Sequence, residues 1–427
     1  MLPITERTIA PGVTLRAVQT GKFKTSTLAV TFLEPLREET ASLNALLPKV
    51  LRRGTRTCPD MESMSAALDD LYGGSIEPVV RKKGEVQCVG FWASFLDDAF
   101  VPQGTKLLEP AAALLGQVVL DPAGDGKVFQ PDYVESEKAN LLDKIRGEIN
   151  DKLQYSLSRL RESMCAGEAY GVGRLGSQET AAAITGQALY ARYRDMLETA
   201  PVYLYYCGSA PIHRVEAAFR SAFAGLPEGK RRPIPSTQVV KVPAGEVRRF
   251  SEVMDVTQGK LVLGFRAGQR YRTKEEVARA VLFSSVYGGS TNSKLFLNVR
   301  EKLSLCYFAS ASLAMSKGVM LVYSGVEFAN FQRAEEEILA QLQACREGDI
   351  TAQELEAARL SAVSTFCTTL DAQGRLEEYW LNRFFSGTDF TPEELAEAIS
   401  QVTLEEVVEV ARGIRLDTIF TLCGKEA

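Results

Sequence analysis

The chain has 427 residues, 45% of them hydrophobic, enough for sizeable cores and roughly two to three domains. Its 49 basic and 54 acidic residues leave a formal charge of -5, which argues against a nucleic-acid binder. His213 is the one histidine in the sequence, so a histidine-ligated catalytic zinc site or a Ser-His-Asp triad built from this chain alone is not expected.

The opening MLPITERTIAPG lacks the basic-then-apolar pattern of a secretory signal. No apolar run reaches the roughly 18 residues that span a bilayer, and AAALLGQVVL is the longest candidate, so no membrane segment is expected. Eight scattered cysteines (Cys58, Cys88, Cys165, Cys207, Cys306, Cys345, Cys367 and Cys423) form no C-x-x-C pair. They read as reduced, buried thiols of a cytoplasmic protein. The short basic clusters RRGTR, RKK and GKRRP read as solvated loops. The acidic pairs Asp69–Asp70 and Asp97–Asp98 read as solvated carboxylates, since nothing shows them converging for acid/base work.

Along the first half, DDLYGGSIEPVV carries a Tyr-Gly-Gly-Ser turn, EVQCVGFWASF reads as a strand, and the stretch from Tyr133 to Glu162 as helical. YGVGRLG matches G-x-G-x-x-G through Gly171, Gly173 and Gly176. A helical segment precedes it where a nucleotide fold needs a strand, so it reads as a glycine-rich loop. PVYLYYCGSA closes this half, and His213 falls at the start of an amphipathic helix. GLPEGKRRPIPSTQVVKVPAGE, residues 225–246, has four prolines and no apolar periodicity, and reads as a linker.

The second half repeats the order. SSVYGGSTNSKL has the same turn tetrapeptide, GVMLVYSGVEF reads as a strand, and DTIFTLCGKEA closes the chain with a second Cys-Gly. Thr273–Glu276, Thr351–Glu354, Thr391–Glu394 and Thr403–Glu406 fit capping boxes. Phe331, Ala334, Ile338, Leu342 and Cys345 recur at helical spacing before a stop at Gly348. The spacing predicts an internally duplicated α+β protein, with antiparallel sheets and helices packed on one face. The expected domains are 1–224 and 247–427, joined by 225–246.

One stretch stands out chemically. FLNVREKLSLCYF, residues 296–308, places Arg300 at the end of a helical segment and Tyr307 at the start of a strand. Together with Gly288, Gly289 and Ser290, the residues Leu295, Phe296, Arg300, Glu301, Lys302, Leu305 and Tyr307 resemble a motif of the pitrilysin/insulinase family of zinc peptidases. The likeness extends over the whole chain and includes the YGVGRLGSQE loop. It is nearest to the family's short two-domain bacterial members, peptidase-like proteins associated with 5-aminopentanol modification of elongation factor P. It implies two homologous domains, of which the first carries the zinc motif H-x-x-E-H in active members.

Aligned on Gly54 and Thr55, the two His positions fall on Ala45 and Lys49, the Glu on Pro48, and the downstream ligand near Lys144. None of these side chains is a zinc ligand of the expected kind, so no metal is expected in this chain. The resemblance makes Arg300 a substrate-positioning group and Tyr307 an oxyanion-assisting or substrate-binding one. It implies a non-catalytic subunit acting on peptides only with a homologous zinc-bearing partner. The alternative is a peptide-binding or scaffold protein, possibly a homodimer, with no role in proteolysis.

Overall fold

The computed structural model of the protein describes residues 3–236, 239–240 and 245–425. It divides into two compact units, Met1–Arg146 with Val172–Ser236, and Gly147–Gly171 with Thr237–Ala427. The sequence boundaries differ from this division chiefly at residues 147–171, which join the second unit.

The first unit is built on six strands: β1 (Ile4–Ala10), β2 (Val13–Gln19), β3 (Thr25–Pro35), β4 (Ser75–Lys83), β5 (Val86–Leu96) and β6 (Val202–Gly208). They lie in the order β1-β2-β6-β3-β5-β4. Only β2–β6 is parallel. Every residue of β3 between Thr25 and Pro35 is buried, as expected of a central strand covered on both faces. Leu28, Val30 and Phe32 enter a core shared with Ala45, Leu46 and Leu47 of the helix Glu38–Leu51 and with Ala111, Leu115 and Val118 of the helix Leu108–Leu120. At Gly90 of β5, a Cβ would fall 1.9 Å from the Val30 carbonyl oxygen, so the strands can close only on glycine.

The second unit has five strands: β7 (Arg248–Val253), β8 (Gly259–Arg266), β9 (Cys306–Ala314), β10 (Val319–Val326) and β11 (Arg415–Cys423). Their order, β7-β11-β8-β10-β9, repeats β2-β6-β3-β5-β4 of the first sheet. Again only one pair, β7–β11, is parallel. The two runs ending in Cys-Gly are therefore β6 and β11, in equivalent places, and this is the duplication that the sequence order implied. The two Tyr-Gly-Gly-Ser tetrapeptides are not equivalent. Tyr72 and Gly73 take positive φ, 60° and 71°, in the turn before β4. Tyr287 is fully buried and donates its hydroxyl to the Ile338 carbonyl at 3.0 Å.

The four expected capping boxes all form, and Gly348 ends the helix Phe331–Glu347 at φ 81°. Where helices were expected on one face, the second sheet has a further helix on the face bearing Val262 and Phe420. This is Lys152–Met164, from the segment 147–171. Its Leu157, Leu160 and Met164 pack with Val262, Leu321, Phe420 and Leu422. A Cβ on Gly264 would lie 2.5 Å from Met164 Sδ, so glycine lets the helix settle. Behind it, Glu168 accepts from Arg266 and Lys317, each at 2.7 Å, and Arg266 also meets Asp417 at 3.1 Å. Periodicity along one helix cannot name the sheet that it will cover, so this partner choice was not legible in the sequence.

Other expectations are corrected by burial. Asp97 is buried rather than solvated, accepting from Ser26 Oγ at 2.6 Å and from the Ser209 N–H at 2.9 Å. The clusters RRGTR and GKRRP are tied down. Arg53 pairs with Glu137 at 3.0 Å, Arg231 donates to the Leu197 and Ala200 carbonyls at 3.1 and 2.6 Å, and Arg232 meets the buried Glu34 at 3.1 Å. The first part of the expected linker is thus anchored, and residues 237–238 and 241–244 lie outside the described residues. Among the described residues no helix is long and apolar enough to cross a membrane. All eight cysteines are free thiols, but only Cys88, Cys165, Cys207 and Cys345 are buried as expected; Cys58, Cys306 and Cys423 are half-buried and Cys367 is exposed.

Candidate functional site

The segment holding Arg300 is not an ordinary α-helix. Leu295–Lys302 is wound in π geometry, with the Leu303 N–H donating to the Asn298 carbonyl, five residues back, at 3.1 Å. Such wide turns are rare and gather at functional sites. Ser304 then takes φ 49°, a left-handed conformation that costs a non-glycine residue on the order of 1 kcal/mol. The buried Leu305 anchors the junction.

β9 follows as an edge strand, paired to β10 alone. Phe308 pairs with Gly325 and Cys306 with Val326, so Tyr307 is the extra residue of a β-bulge. Bulges re-aim side chains and recur beside active sites. Tyr307 is 66% exposed. Its hydroxyl has no hydrogen-bond partner among the described residues.

Arg300 is half-buried, with its guanidinium carbon 4.6 Å from the centroid of the Phe296 ring. Its one ion partner among the described residues is Glu301, at 3.5 Å. An exposed pair of this kind contributes little, so most of the donor capacity of Arg300 is uncommitted. Burial pushes the Cys306 thiol above its usual range, while a hydrogen bond with Ser324 and the charge of Arg300 act in the opposite sense. Arg300 therefore lies within electrostatic reach of the residue beside Tyr307. Cys306 is half-buried rather than a core residue, because the bulge interrupts the alternation that would have turned it inward. The support from Phe296 went unassigned in the sequence, although its spacing of four residues from Arg300 is the signal that marks it.

The expected metal-ligand positions lie in the first unit. Ala45 is fully buried in the core, and Pro48 is buried within the same helix. The neighbouring Asn44 is structural, accepting from Arg192 Nε at 2.8 Å and donating to Gln87 Oε1 at 2.8 Å. Lys49 is half-buried. Burial, and next the charge of Lys144, push its ammonium below the ordinary lysine range; Glu137 opposes this and Arg174 adds to it. The structure thus brings Lys49 and Lys144 within electrostatic reach of each other. A divalent cation does not fit this set, which offers two ammoniums, a methyl group and a proline ring in place of anionic or imidazole donors. Among the described residues no group of three or more His, Cys, Asp or Glu side chains could hold a metal ion. His213 is exposed in the first turn of the helix Ile212–Ala222.

Two units that share one strand order define the class as a duplicated α+β protein. A family described as "Peptidase M16 inactive domain" matches residues 183–361. The chain is 32% identical over 418 residues to the "Probable inactive metalloprotease YmfF" of Bacillus subtilis (strain 168), covering 97% of this chain and 96% of that one. It is 24% identical over 387 residues to the "Uncharacterized zinc protease YmxG" of the same organism, covering 88% and 87%. A solved structure of a conserved protein from Enterococcus faecalis V583 matches with a TM-score of 0.89 at 27% identity, over 99% of both chains. The chain belongs to the M16, or pitrilysin/insulinase, peptidase family, as a member lacking the zinc motif.

Proposed function

We propose that the chain is the zinc-less half of a two-chain peptidase, in which Arg300 and Tyr307 hold a peptide at a metal centre supplied by a homologous partner. The observation that carries this reading is the Arg300/Tyr307 junction, two strong donors left uncommitted at a π-wound helix end and a bulged strand start. The guanidinium would donate to backbone carbonyls of an extended peptide. The phenol would donate to the carbonyl oxygen that gains charge as water attacks, where a single donor is worth about 10²- to 10³-fold in rate. Backbone contacts of this kind do not read side chains, which suits varied peptide segments.

Bacillus subtilis carries both a relative named as an inactive metalloprotease and one named as a zinc protease. This supports the coexistence of the two chain types in one cell. Eight free cysteines support a reducing, cytoplasmic compartment. The likeness to proteins associated with elongation factor P modification adds a candidate context, tested by whether loss of the chain changes the modified fraction of that factor.

The direct test is native pull-down of the tagged chain, with mass spectrometry and zinc analysis of the complex. A stoichiometric homologue carrying H-x-x-E-H, with about one zinc per pair, is the expected result. In that pair, Arg300→Ala and Tyr307→Phe are each expected to lower kcat/KM while leaving the complex folded. A zinc-free homodimer, or full turnover by both variants, would overturn the proposal in favour of a scaffold.

A further inference from the structure

In the second unit the helices Phe331–Glu347 and Leu404–Gly413 end side by side, where β11 begins, and three arginines are tied together there. Arg346 Nε and Nη2 donate to the Ala411 and Ile414 carbonyls at 3.4 and 2.6 Å. Arg412 Nε returns a bond to the Arg346 carbonyl at 3.1 Å. Arg415 Nη1 donates to the same Ile414 oxygen at 3.1 Å and also to the Arg412 carbonyl. The Arg346 and Arg415 guanidiniums thus converge on one oxygen. With Gln343 and Glu347, the three arginines line a cavity of about 730 Å³.

Backbone carbonyls steady these side chains without cancelling their charge, since a helix C-terminus offers only about half an elementary charge. Among the described residues none of the three forms an ion pair with a carboxylate. Glu347, the one acid in the lining, is bonded instead to Gln343 Nε2 at 2.7 Å. Three guanidiniums against one carboxylate and two helix ends leave the lining positive. Burial, and next the charge of Arg415, hold the Arg346 guanidinium below the ordinary arginine range, while Tyr287 and Cys345 act in the opposite sense.

The donors are divided unequally. Arg346 spends all three nitrogens, on the two carbonyls and on Gln343 Oε1 at 3.3 Å. Arg412 keeps both terminal nitrogens, and Arg415 keeps Nε and Nη2, each an open fork. A carboxylate has two oxygens and satisfies one fork, whereas a phosphate has enough oxygens to meet two at once. We propose that Arg412 and Arg415, steadied by Arg346, form a phosphate-binding site that takes inorganic phosphate or the phosphate of a small monoester. The site rests on the second unit alone and is independent of the peptide reading above.

The test is calorimetric titration of the full chain at pH 8 with inorganic phosphate, phenyl phosphate, benzenesulfonate and benzoate. Phenyl phosphate, with a charge of about -2 at that pH, is expected to bind about tenfold tighter than benzoate, with the sulfonate between them. Arg412→Gln/Arg415→Gln is expected to weaken phosphate binding at least about tenfold. Glu347→Gln removes the one repelling charge and keeps an acceptor for Gln343, so it is expected to tighten binding about two- to fivefold. This second variant reads the site even if the double arginine variant fails to fold. Tighter binding of phenyl phosphate than of inorganic phosphate would support a monoester as ligand, and the reverse would support the free ion. Failure of both phosphates to bind, equal affinity for phenyl phosphate and benzoate, or binding unchanged in both variants would overturn the proposal.

Discussion

Arg300 lies over the ring of Phe296, 4.6 Å from guanidinium carbon to ring centroid, one turn later in the same π-wound segment. The ring holds a charge that has little else to hold it, since Glu301 is a distant and exposed partner. Phe296→Leu keeps the apolar bulk and removes the ring face. A cation–π contact at such a site is worth about 0.5–1 kcal/mol. The variant is expected to bind peptide about two- to fivefold more weakly, with an unchanged thermal midpoint. Calorimetric titration of peptide into wild type and variant checks this.

A second prediction concerns the clamp behind the helix Lys152–Met164. Burial raises the Glu168 carboxyl, but hydrogen bonds and charge from Arg266 and Lys317 outweigh it, and the group sits below its usual range; Asp417 behaves likewise with Thr418, Arg248 and Arg266. Because the folded values are depressed, this stabilisation is complete above about pH 4.5. It is lost as pH falls through the folded values. Glu168→Gln removes the carboxylate that Lys317 and Arg266 share, while Asp417 still faces Arg266, at an expected cost of about 1–3 kcal/mol. Urea unfolding at neutral and acid pH should show a lower midpoint and a flatter acid limb. Glu34 is raised by burial and acts in the opposite sense, so the difference between wild type and variant is the quantity to compare.

The same helix offers a steric test. In Gly264→Ala the new Cβ would lie 2.5 Å from Met164 Sδ and 3.1 Å from Leu160 Cδ2. Overpacking of this size costs about 1–3 kcal/mol. Adding Met164→Ala opens the space, so the double variant is expected to be more stable than the sum of the single losses. Denaturation of all four members of the cycle measures the coupling. Strict additivity would mean that the helix does not close on Gly264.

Restoring the metal ligands tests the alignment of the first unit. Ala45→His, Pro48→Glu and Lys49→His together leave the ammonium of Lys144 beside the new site, and weak zinc binding is expected. Adding Lys144→Glu replaces that charge with a ligand, and about one zinc per chain is expected. Metal analysis after dialysis distinguishes the two variants. Equal zinc content in both would place the downstream ligand position elsewhere.

Much of this was legible because it is local. Capping boxes at Thr273, Thr351, Thr391 and Thr403 satisfy helix-end N–H groups from within one turn. The repeated Cys-Gly strands carried the duplication, and the Arg300/Tyr307 spacing drew attention to the junction that the structure shows as a wide turn and a bulge. Parallel pairing of β2 with β6 and of β7 with β11 was not legible, because pairing direction depends on how the chain returns through space.

The sequence by itself determined the helix ends, the strand runs, the doubled order and the absence of zinc ligands at Ala45, Pro48, Lys49 and Lys144, since each is set by residue identity and short spacing. Tertiary structure alone decided that residues 147–171 pack on the second sheet, that Asp97 is buried, that Tyr307 is aimed by a bulge, and that Lys49 and Lys144 act on each other. Those outcomes join residues from 17 positions apart, as Phe308 and Gly325 are at the bulge, to more than 100. Their energy comes from burial and charge in three dimensions, which no local pattern encodes.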